Sequence, residues 1–466
     1  MSSVTQSDLS RPTAENTSST HAEVPRTLAE PAPRALGLLD QLGLWGNLGV
    51  SLLGFGGAVV LLHPNGPDAP PMSLLAALVA TVVGTVLGAG AIALASVAGA
   101  RTGAPGMVLL RGLFGARLSY VPTVLNTVQM LGWSTFEVVT IATAASQLLP
   151  SVPHWVFVVV IGLLTTGLAL KPLGTVRVLR RYVTVAMVLA VGYLFVQLLR
   201  APLPGQSLGS ESGGSWSGFS IGVDTALAVA VSWVPVAADY SRHSRTVRAA
   251  AIGPLVGFSL SQVACYALGL LALLTVAGDP DRVFSSFVAV PLGGLAFAVL
   301  VLRELDQSFT SVYSTTVSLQ NLAPRWDRRI ISVVIGVVVT LLALNLDIYG
   351  YASFLSLIGS LFVPMFAVLV VDYFLLGGVR TWDLSAAARP RRLMLLPWAA
   401  GFVVYQLIYP GQVGWWAQAW EGIAGAIGFV PQAWMSASLL SFLVAGLVTG
   451  VVHLITRRRS PVPATT

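Results

Sequence analysis

Twelve apolar runs occupy most of this 466-residue chain, and they constrain its fold more than any other feature. A segment of roughly 20 apolar residues is long enough to cross a bilayer as a helix. Charged residues make up only 10% of the chain, against about 25% in soluble domains. We therefore predict an all-α polytopic membrane protein with twelve transmembrane helices. These predicted helices, called spans 1 to 12, cover 42–62, 73–98, 120–149, 155–170, 183–199, 219–238, 250–276, 291–319, 330–344, 349–376, 393–408 and 434–455.

Basic residues are concentrated in alternate connections between the spans. Those connections cover 101–117, 171–181, 242–248, 325–329 and 380–392, whereas the intervening ones contain only Arg200 and Arg282. The positive-inside rule then predicts a multi-pass protein of the cytoplasmic (inner) membrane with both termini in the cytoplasm. The net charge of +7 follows from this distribution, so no nucleic-acid partner is predicted.

The two ends of the chain differ in composition from its middle. Residues 1–36 are rich in Ser, Thr, Pro, Ala and Glu and have no apolar core, which predicts a disordered cytoplasmic tail. The membrane domain is expected to cover 37–456, and 457–466 to form a second cytoplasmic tail. The single cysteine, Cys265, excludes an intrachain disulfide and a Cys-rich metal site. No nucleotide-binding loop, metal-binding histidine pair or serine elbow is present, so we predict neither an enzyme nor a cofactor.

Two spans carry signals that interrupt a helix. Span 1 contains six glycines, and span 6 contains the sequence Ser232-Trp233-Val234-Pro235, in which the proline removes a backbone hydrogen bond. Interrupted helices at corresponding positions of two halves indicate a transporter binding site. Spans 1 and 6 are five apart, as in an inverted repeat of five plus five, with the halves at 37–200 and 215–377 and spans 11 and 12 at 390–456. The alternative is that the small residues only permit close helix packing.

Span 8 is apolar at both ends but strongly polar in the middle, from Arg303 to Ser311. Charges at that depth are costly and usually face a protein interior with a function. Asp306, Gln307 and Thr310 share one helix face, where Asp306 is a candidate for binding a cation or a proton. The alternative is an internally paired group, Arg303 with Glu304 or Asp306, that only holds helices together.

Span 3 places Trp133 and Glu137 four residues apart, on one helix face. An indole offers a flat apolar surface, and a carboxylate can accept two N–H groups, a pairing that suits a planar heterocycle. A buried carboxyl is also a candidate for binding and releasing a proton. Trp233 on span 6 could supply a second aromatic face, although tryptophans in membrane proteins are more often interfacial.

These residues resemble those of the nucleobase–cation symporters, in the purine–cytosine permease branch. The similarity runs through most of the membrane domain, in short motifs that keep the family's order and spacing. The matching motifs are Leu44 to Gly49, Gly99 to Gly115, Gly132-Trp133 with Glu137, Ala238 to Arg242, Val312-Tyr313-Ser314 with Ser318, and Pro364 with Asp372-Tyr373-Phe374.

The resemblance implies a LeuT-like fold of two inverted five-helix repeats plus two C-terminal helices. It also implies a base held between Trp133 and Trp233, with polar contacts from the remaining substrate positions. Those positions are Glu137, Gln307 or Ser308, and Asn47. Ser232, which precedes Trp233 in the sequence, is a further predicted substrate-binding residue. The predicted cation-coupling positions are Asp306, Glu137, Gly46, Gly49 and Thr310. In sodium-coupled members, hydroxyl groups of span 8 lie beside carbonyls of span 1. Asp306 departs from that pattern and favours proton coupling.

The sequence therefore predicts a secondary active transporter that imports a nucleobase, cytosine or a purine, together with a cation, for which a proton is favoured over sodium. Its partners would be the small-molecule substrate, the coupling cation and the bilayer. A second interpretation is a transporter of a related heterocycle, such as a hydantoin, allantoin or a hydroxymethylpyrimidine-type vitamin precursor. A third, from another class, is a channel.

Overall fold

The structure is a computed structural model that describes residues 24–65, 69–178, 182–201, 215–276, 282–346, 351–411 and 413–458. Nearly all of the described residues are helical. The helices are α1 (Leu38–Leu48), α2 (Leu52–Leu62), α3 (Leu74–Thr102), α4 (Gly106–Phe114), α5 (Tyr120–Leu148), α6 (His154–Ala169), α7 (Pro172–Val178), α8 (Thr184–Arg200), α9 (Phe219–Val231), α10 (Ala237–Ser241), α11 (Val247–Ile252), α12 (Ser259–Thr275), α13 (Val283–Ala289), α14 (Gly293–Leu322), α15 (Arg328–Ala343), α16 (Tyr351–Val370), α17 (Gly378–Thr381), α18 (Leu395–Ile408), α19 (Gly414–Ala426) and α20 (Ala437–Arg458).

Each predicted span coincides with one helix or with consecutive helices of the described residues. By length and composition, five helical segments there can cross a membrane, or six if α1 and α2 count as one bent span. The helices α4, α7, α13, α17 and α19 lie between the spans and were not predicted. The all-helical prediction is confirmed, whereas the number of spans remains a prediction.

Both predicted interruptions are present. The axes of α1 and α2 differ by 48°, and Ser51 caps α2 by accepting a hydrogen bond from Leu53 N at 3.2 Å. Between α9 and α10, Val236 N donates to Trp233 O at 3.2 Å instead of continuing the α-helical pattern. Span 1 is therefore broken near its middle and span 6 towards its end, which frees backbone carbonyls inside the protein.

Glycines allow α3 and α9 to pack closely. A Cβ atom at Gly84 would lie 2.3 Å from Val223 O, and one at Gly88 would lie 2.4 Å from Ala230 Cβ. The packing alternative holds for span 1 as well, because a Cβ at Gly49 would lie 2.1 Å from Ser261 Oγ on α12. The glycines thus serve close packing even where the helix is also broken.

The basic connections meet at one end of the helices, which we call the basic end. Arg391 Nη1 donates to Gly112 O at 2.8 Å, and Arg328 Nη1 donates to Ala169 O at 3.0 Å. The first contact joins two basic connections, and the second joins a third one to the end of span 4, beside the connection at 171–181. The basic connections that alternate along the sequence therefore lie at the same end of the protein.

The prediction of a disordered tail is wrong over residues 24–36, which pack against the basic end. Arg34 Nη1 donates to Ala100 O at 2.6 Å, Leu28 N donates to Pro324 O at 3.2 Å, and Leu36 is only 1% exposed. Composition misses this because the segment is held by the unpaired carbonyls at helix ends rather than by an apolar core of its own. Residues 1–23 and 459–466 of the predicted tails, and Arg180 and Arg181, lie outside the described residues.

Candidate functional site

A small cavity lies where the two broken helices face each other, and we call it the central cavity. The α1–α2 break, the α9–α10 break, α5, α12 and α14 all contribute to its wall. The lining residues are Leu48, Gly49, Ser51, Gly54, Trp133, Val229, Trp233, Gln262, Cys265, Tyr266 and Gln307. Its volume is about 10 Å³, so a molecule larger than water enters only when the surrounding helices move apart.

The α1–α2 break exposes carbonyls that α14 satisfies with side chains. Gln307 Nε2 donates to Leu48 O at 2.9 Å and to Val50 O at 2.6 Å. Arg303 Nη2 donates to Asn47 O at 2.7 Å, and Arg303 Nη1 donates to Val50 O. The polar middle of span 8 therefore holds the broken part of span 1, because freed carbonyls at that depth need partners.

Arg303 also forms ion pairs within α14. Its Nη1 lies 2.8 Å from Glu304 Oε2, and its Nη2 lies 3.2 Å from Asp306 Oδ1. All three side chains are at most 2% exposed. Ser51 Oγ donates to Glu304 Oε1 at 2.8 Å, which links the same group to the cap of α2. The internally paired alternative is thus what the structure shows, but the paired group contacts the break rather than only neighbouring helices.

The α9–α10 break is satisfied from α5. Gln129 Nε2 donates to Ser232 O at 2.7 Å, while the Ser232 hydroxyl donates to Val229 O at 2.7 Å. Gln129 is 3% exposed. Since its own hydroxyl is engaged with the backbone, Ser232 contributes a carbonyl to the break rather than a side chain to the cavity.

The structure brings Trp133 and Trp233 to the same cavity, as the sequence predicts. Each is 4% exposed. Trp133 also packs edge-on against Phe354, with ring centroids 5.6 Å apart and planes at 72°. That contact restricts the orientation of the indole, and a fixed aromatic surface loses little entropy when it binds a ring.

Glu137 is fully buried one turn beyond Trp133 but does not line the central cavity. Ser311 Oγ on α14 donates to Glu137 Oε1 at 3.3 Å. Glu137 Oε2 has no hydrogen-bond partner among the described residues. A carboxyl in this position joins α5 to α14 and retains an oxygen that can take part in proton binding.

Several predicted site residues lie elsewhere. The Ser308 hydroxyl accepts from Thr165 Oγ1 on α6 at 3.0 Å, because one residue of helical rotation turns it away from the face of Gln307. The Thr310 hydroxyl donates to the carbonyl of Asp306 in its own helix. Neither residue lines the central cavity, and their roles in binding the substrate and the cation remain predictions. Asn47, Asp306 and Gly46 surround the break without lining the cavity.

Sequence reasoning missed polar residues contributed by α12. Gln262 Nε2 donates to Ala226 O at 2.8 Å and Thr85 Oγ1 at 2.9 Å. Gln262 Oε1 and Tyr266 Oη have no partner among the described residues. Both residues line the central cavity. A glutamine and a tyrosine one turn apart in an apolar run were the available signal.

The all-helical fold and the paired helix breaks around a buried cavity define a membrane transporter with a LeuT-like fold. The fold is similar to that of Mhp1, a nucleobase-cation-symport-1 family transporter. Against the closed Mhp1 conformation with bromovinylhydantoin bound, the TM-score is 0.71 at 16% identity, covering 94% of this chain and 96% of that one. Against the inward-facing conformation of Mhp1 it is 0.65 at 16% identity, covering 94% of each chain. A Na⁺-coupled sialic acid symporter gives 0.61 at 10% identity, covering 94% and 93%.

The chain belongs to the nucleobase–cation symporter family. Residues 69–387 match the family model described as permease for cytosine/purines, uracil, thiamine, allantoin. A protein of Bacillus subtilis (strain 168) named as a purine-cytosine permease, YxlA, is 23% identical over 336 residues, which cover 66% of this chain and 70% of that protein. The family resemblance predicted from short motifs is therefore confirmed.

Proposed function

We propose that this protein imports a nucleobase, cytosine or a purine, by symport with a proton through alternating access. The observation that carries the proposal is the pair of tryptophans, Trp133 and Trp233, at a buried cavity between two helix breaks. Two indoles offer flat faces to a planar ring, and stacking on an aromatic side chain contributes about 1–3 kcal/mol per base. The paired aromatic surfaces favour a carrier over a channel.

The polar groups of the cavity support a heterocycle with both hydrogen-bond donors and acceptors. Gln262 Oε1 can accept a ring N–H, and Tyr266 Oη can donate to a ring nitrogen or carbonyl. Both atoms are buried and have no partner in the described part of the chain. A buried polar atom without a partner costs about 1–3 kcal/mol, so a substrate that satisfies both gains affinity and specificity.

Glu137 is the proposed proton carrier. It lies on α5, the helix that also carries Trp133, and Ser311 connects it to α14. A change in its charge would act on the helix that forms one wall of the cavity. Its oxygen without a partner in the described residues leaves a position for the proton. Asp306 is a weaker candidate, because one of its oxygens already pairs with Arg303.

A second cavity supports access from the end opposite the basic end. It has a volume of about 380 Å³ and is lined by residues of α2, α9 and α18, including Gly57, Asp224 and Tyr405. Gly54, one turn before Gly57, lines the central cavity. Tyr266 packs against Gly57, where a Cβ atom would lie 2.9 Å from its ring. Tyr266 and α2 thus form the layer between the two cavities, which movement of α2 would open.

The proposed topology has twelve spans, arranged as two inverted five-helix repeats and two further helices. The basic end faces the cytoplasm under the positive-inside rule, which places the cavity of Asp224 outside. The N-terminal segment packs at the basic end through Arg34, and α20 reaches residues 392–394 there. These contacts support a cytoplasmic location for both termini.

A related heterocycle is the second candidate substrate. The family description includes allantoin and thiamine beside the bases, and the similar Mhp1 structure holds bromovinylhydantoin. Hydantoins and allantoin share the planar ring with alternating N–H and C=O groups that the two tryptophans, Gln262 and Tyr266 would bind. Hydantoin-type compounds are therefore the first competitors to test.

The proposal is tested by uptake of labelled cytosine into cells that lack their own base permeases. Unlabelled purines, pyrimidines and hydantoins serve as competitors, at two pH values and with sodium or choline in the medium. The proposal is supported if uptake is saturable, is inhibited by unlabelled bases and is faster at the lower pH. If only hydantoins compete, the substrate is a hydantoin rather than a nucleobase. If the internal concentration never exceeds the external one, a channel is favoured.

A further inference from the structure

Arg303 is a positive charge enclosed by oxygen atoms in the middle of the membrane domain. It is 1% exposed. Its Nη1 contacts Val50 O and Glu304 Oε2, and its Nη2 contacts Asn47 O and Asp306 Oδ1. Two of these oxygens are backbone carbonyls of the α1–α2 break, and two are carboxylate oxygens of α14. The guanidinium thus joins the two elements electrostatically as well as by hydrogen bonds.

The same set of oxygens is of the kind that binds a small cation. In transporters with broken helices, the carbonyls of the unwound segment coordinate the coupling ion. Here the carbonyls of Asn47, Leu48, Val50 and Ser51 already accept from side chains. The donors are Arg303, Gln307 and, for Ser51 O at 3.2 Å, Cys265 Sγ. A sodium ion would have to displace these donors to reach the carbonyls.

We infer that Arg303 is a built-in substitute for a coupling sodium ion at the α1–α2 break, so that transport is independent of sodium. The guanidinium places one positive charge beside the carboxylates of Glu304 and Asp306 and holds the break against α14, as a bound cation would. Unlike an ion, it cannot leave the site during the cycle. The inference rests on the proposed symport only in treating the break as part of a transport site.

The inference predicts a specific property of the Arg303→Ser variant. Removing the guanidinium leaves two buried carboxylates facing backbone carbonyls without a counter-charge, an arrangement that is strongly destabilising. A monovalent cation of suitable size can replace the lost positive charge in the space that the side chain vacates. The variant is therefore expected to need sodium where the wild-type protein does not.

Arg328 provides the matched control. It is also a fully buried arginine, and it donates to the carbonyls of Ala169 and Leu170 at 3.0 and 3.1 Å. Arg328→Ser thus removes a buried guanidinium from backbone carbonyls that lie outside the α1–α2 break, and it should not create a sodium response.

The experiment measures the thermal midpoint of purified full-length protein in equimolar sodium chloride or choline chloride, without substrate. For the wild type, for Arg303→Lys and for Arg328→Ser, we expect the same midpoint in sodium chloride as in choline chloride. For Arg303→Ser, we expect a higher midpoint in sodium chloride. A higher wild-type midpoint in sodium would overturn the inference, as would a folded Arg303→Ser variant that ignores sodium. If Arg303→Ser does not fold in either salt, the inference is tested by the wild type and Arg303→Lys, and a higher midpoint of either protein in sodium would overturn it.

Uptake gives the second measurement. The wild-type rate in sodium divided by the rate in choline is expected to be near one, and the Arg303→Ser ratio to be well above one. The midpoint assay contains no substrate, so an error in the substrate assignment leaves it unchanged. Conversely, a sodium response of the wild type would refute the role of Arg303 while leaving the nucleobase assignment intact.

Discussion

Replacing Trp133 by alanine is expected to weaken nucleobase transport by about 5- to 150-fold. The indole lines the central cavity and is 4% exposed, so a stacked base would lose an aromatic face when the ring is removed. Stacking of a base on an aromatic side chain contributes about 1–3 kcal/mol. Each 1.4 kcal/mol corresponds to about a tenfold change in affinity, which gives the expected range.

Stability has to be separated from binding in this experiment. Truncating a buried tryptophan costs about 3–5 kcal/mol of stability, and Trp133 also loses its contact with Phe354 at 5.6 Å. Trp133→Phe keeps a ring at the position and should retain part of the affinity. Trp398→Ala is the matched control, because Trp398 is 8% exposed and packs on Phe114 at 5.4 Å, away from the cavity.

The assay measures KM and maximal rate for labelled cytosine in proteoliposomes, together with the thermal midpoint of each variant. We expect a raised KM for Trp133→Ala, an intermediate KM for Trp133→Phe, and a lowered midpoint with unchanged KM for Trp398→Ala. A Trp133→Ala variant with the wild-type KM would show that the ring does not contact the substrate. If hydantoin proves to be the substrate, the same series applies to it.

Three further predictions test the proton carrier, the N-terminal segment and the helix packing. Glu137→Gln should remove the pH dependence of uptake, since the amide cannot bind the coupled proton, and an unchanged pH profile would exclude Glu137 as carrier. Arg34→Ala loses a hydrogen bond from an exposed side chain to a carbonyl at the end of α3 and, at about 0.5–1.5 kcal/mol, should lower the thermal midpoint slightly, whereas Arg329→Ala at another exposed position should not. Gly84→Ala should destabilise by about 1–3 kcal/mol, because its Cβ would meet a carbonyl at 2.3 Å, while Gly90→Ala in the same helix has open space and should be neutral by thermal midpoint.

Much of the candidate site could be predicted from single residues in an apolar setting. Trp133, Trp233 and Gln307 stood out because polar and aromatic groups inside apolar runs are few, and all three line the cavity. Gln262 and Tyr266 belong to the same class but gave no pattern that linked them to the breaks. Their role depends on which face of α12 turns inward, and helix packing decides that.

The direction of neighbouring side chains was the least predictable feature. Gln307 and Ser308 are adjacent in sequence, yet Gln307 contacts the α1–α2 break and Ser308 contacts Thr165 on α6. A helix turns about 100° per residue, so the choice between them needs the positions of the partner helices.

The sequence alone determines that this chain is an all-helical membrane protein with broken spans 1 and 6, because apolar length, glycine content and proline act locally. It also determines that basic connections alternate along the chain, and the structure gathers those connections at one end. Only the tertiary structure decides what satisfies the broken backbone. The carbonyls of Asn47, Leu48 and Val50 accept hydrogen bonds from Arg303 and Gln307, which lie more than 250 positions away in the chain. That pairing depends on two helices meeting in space, and no local rule of sequence specifies it.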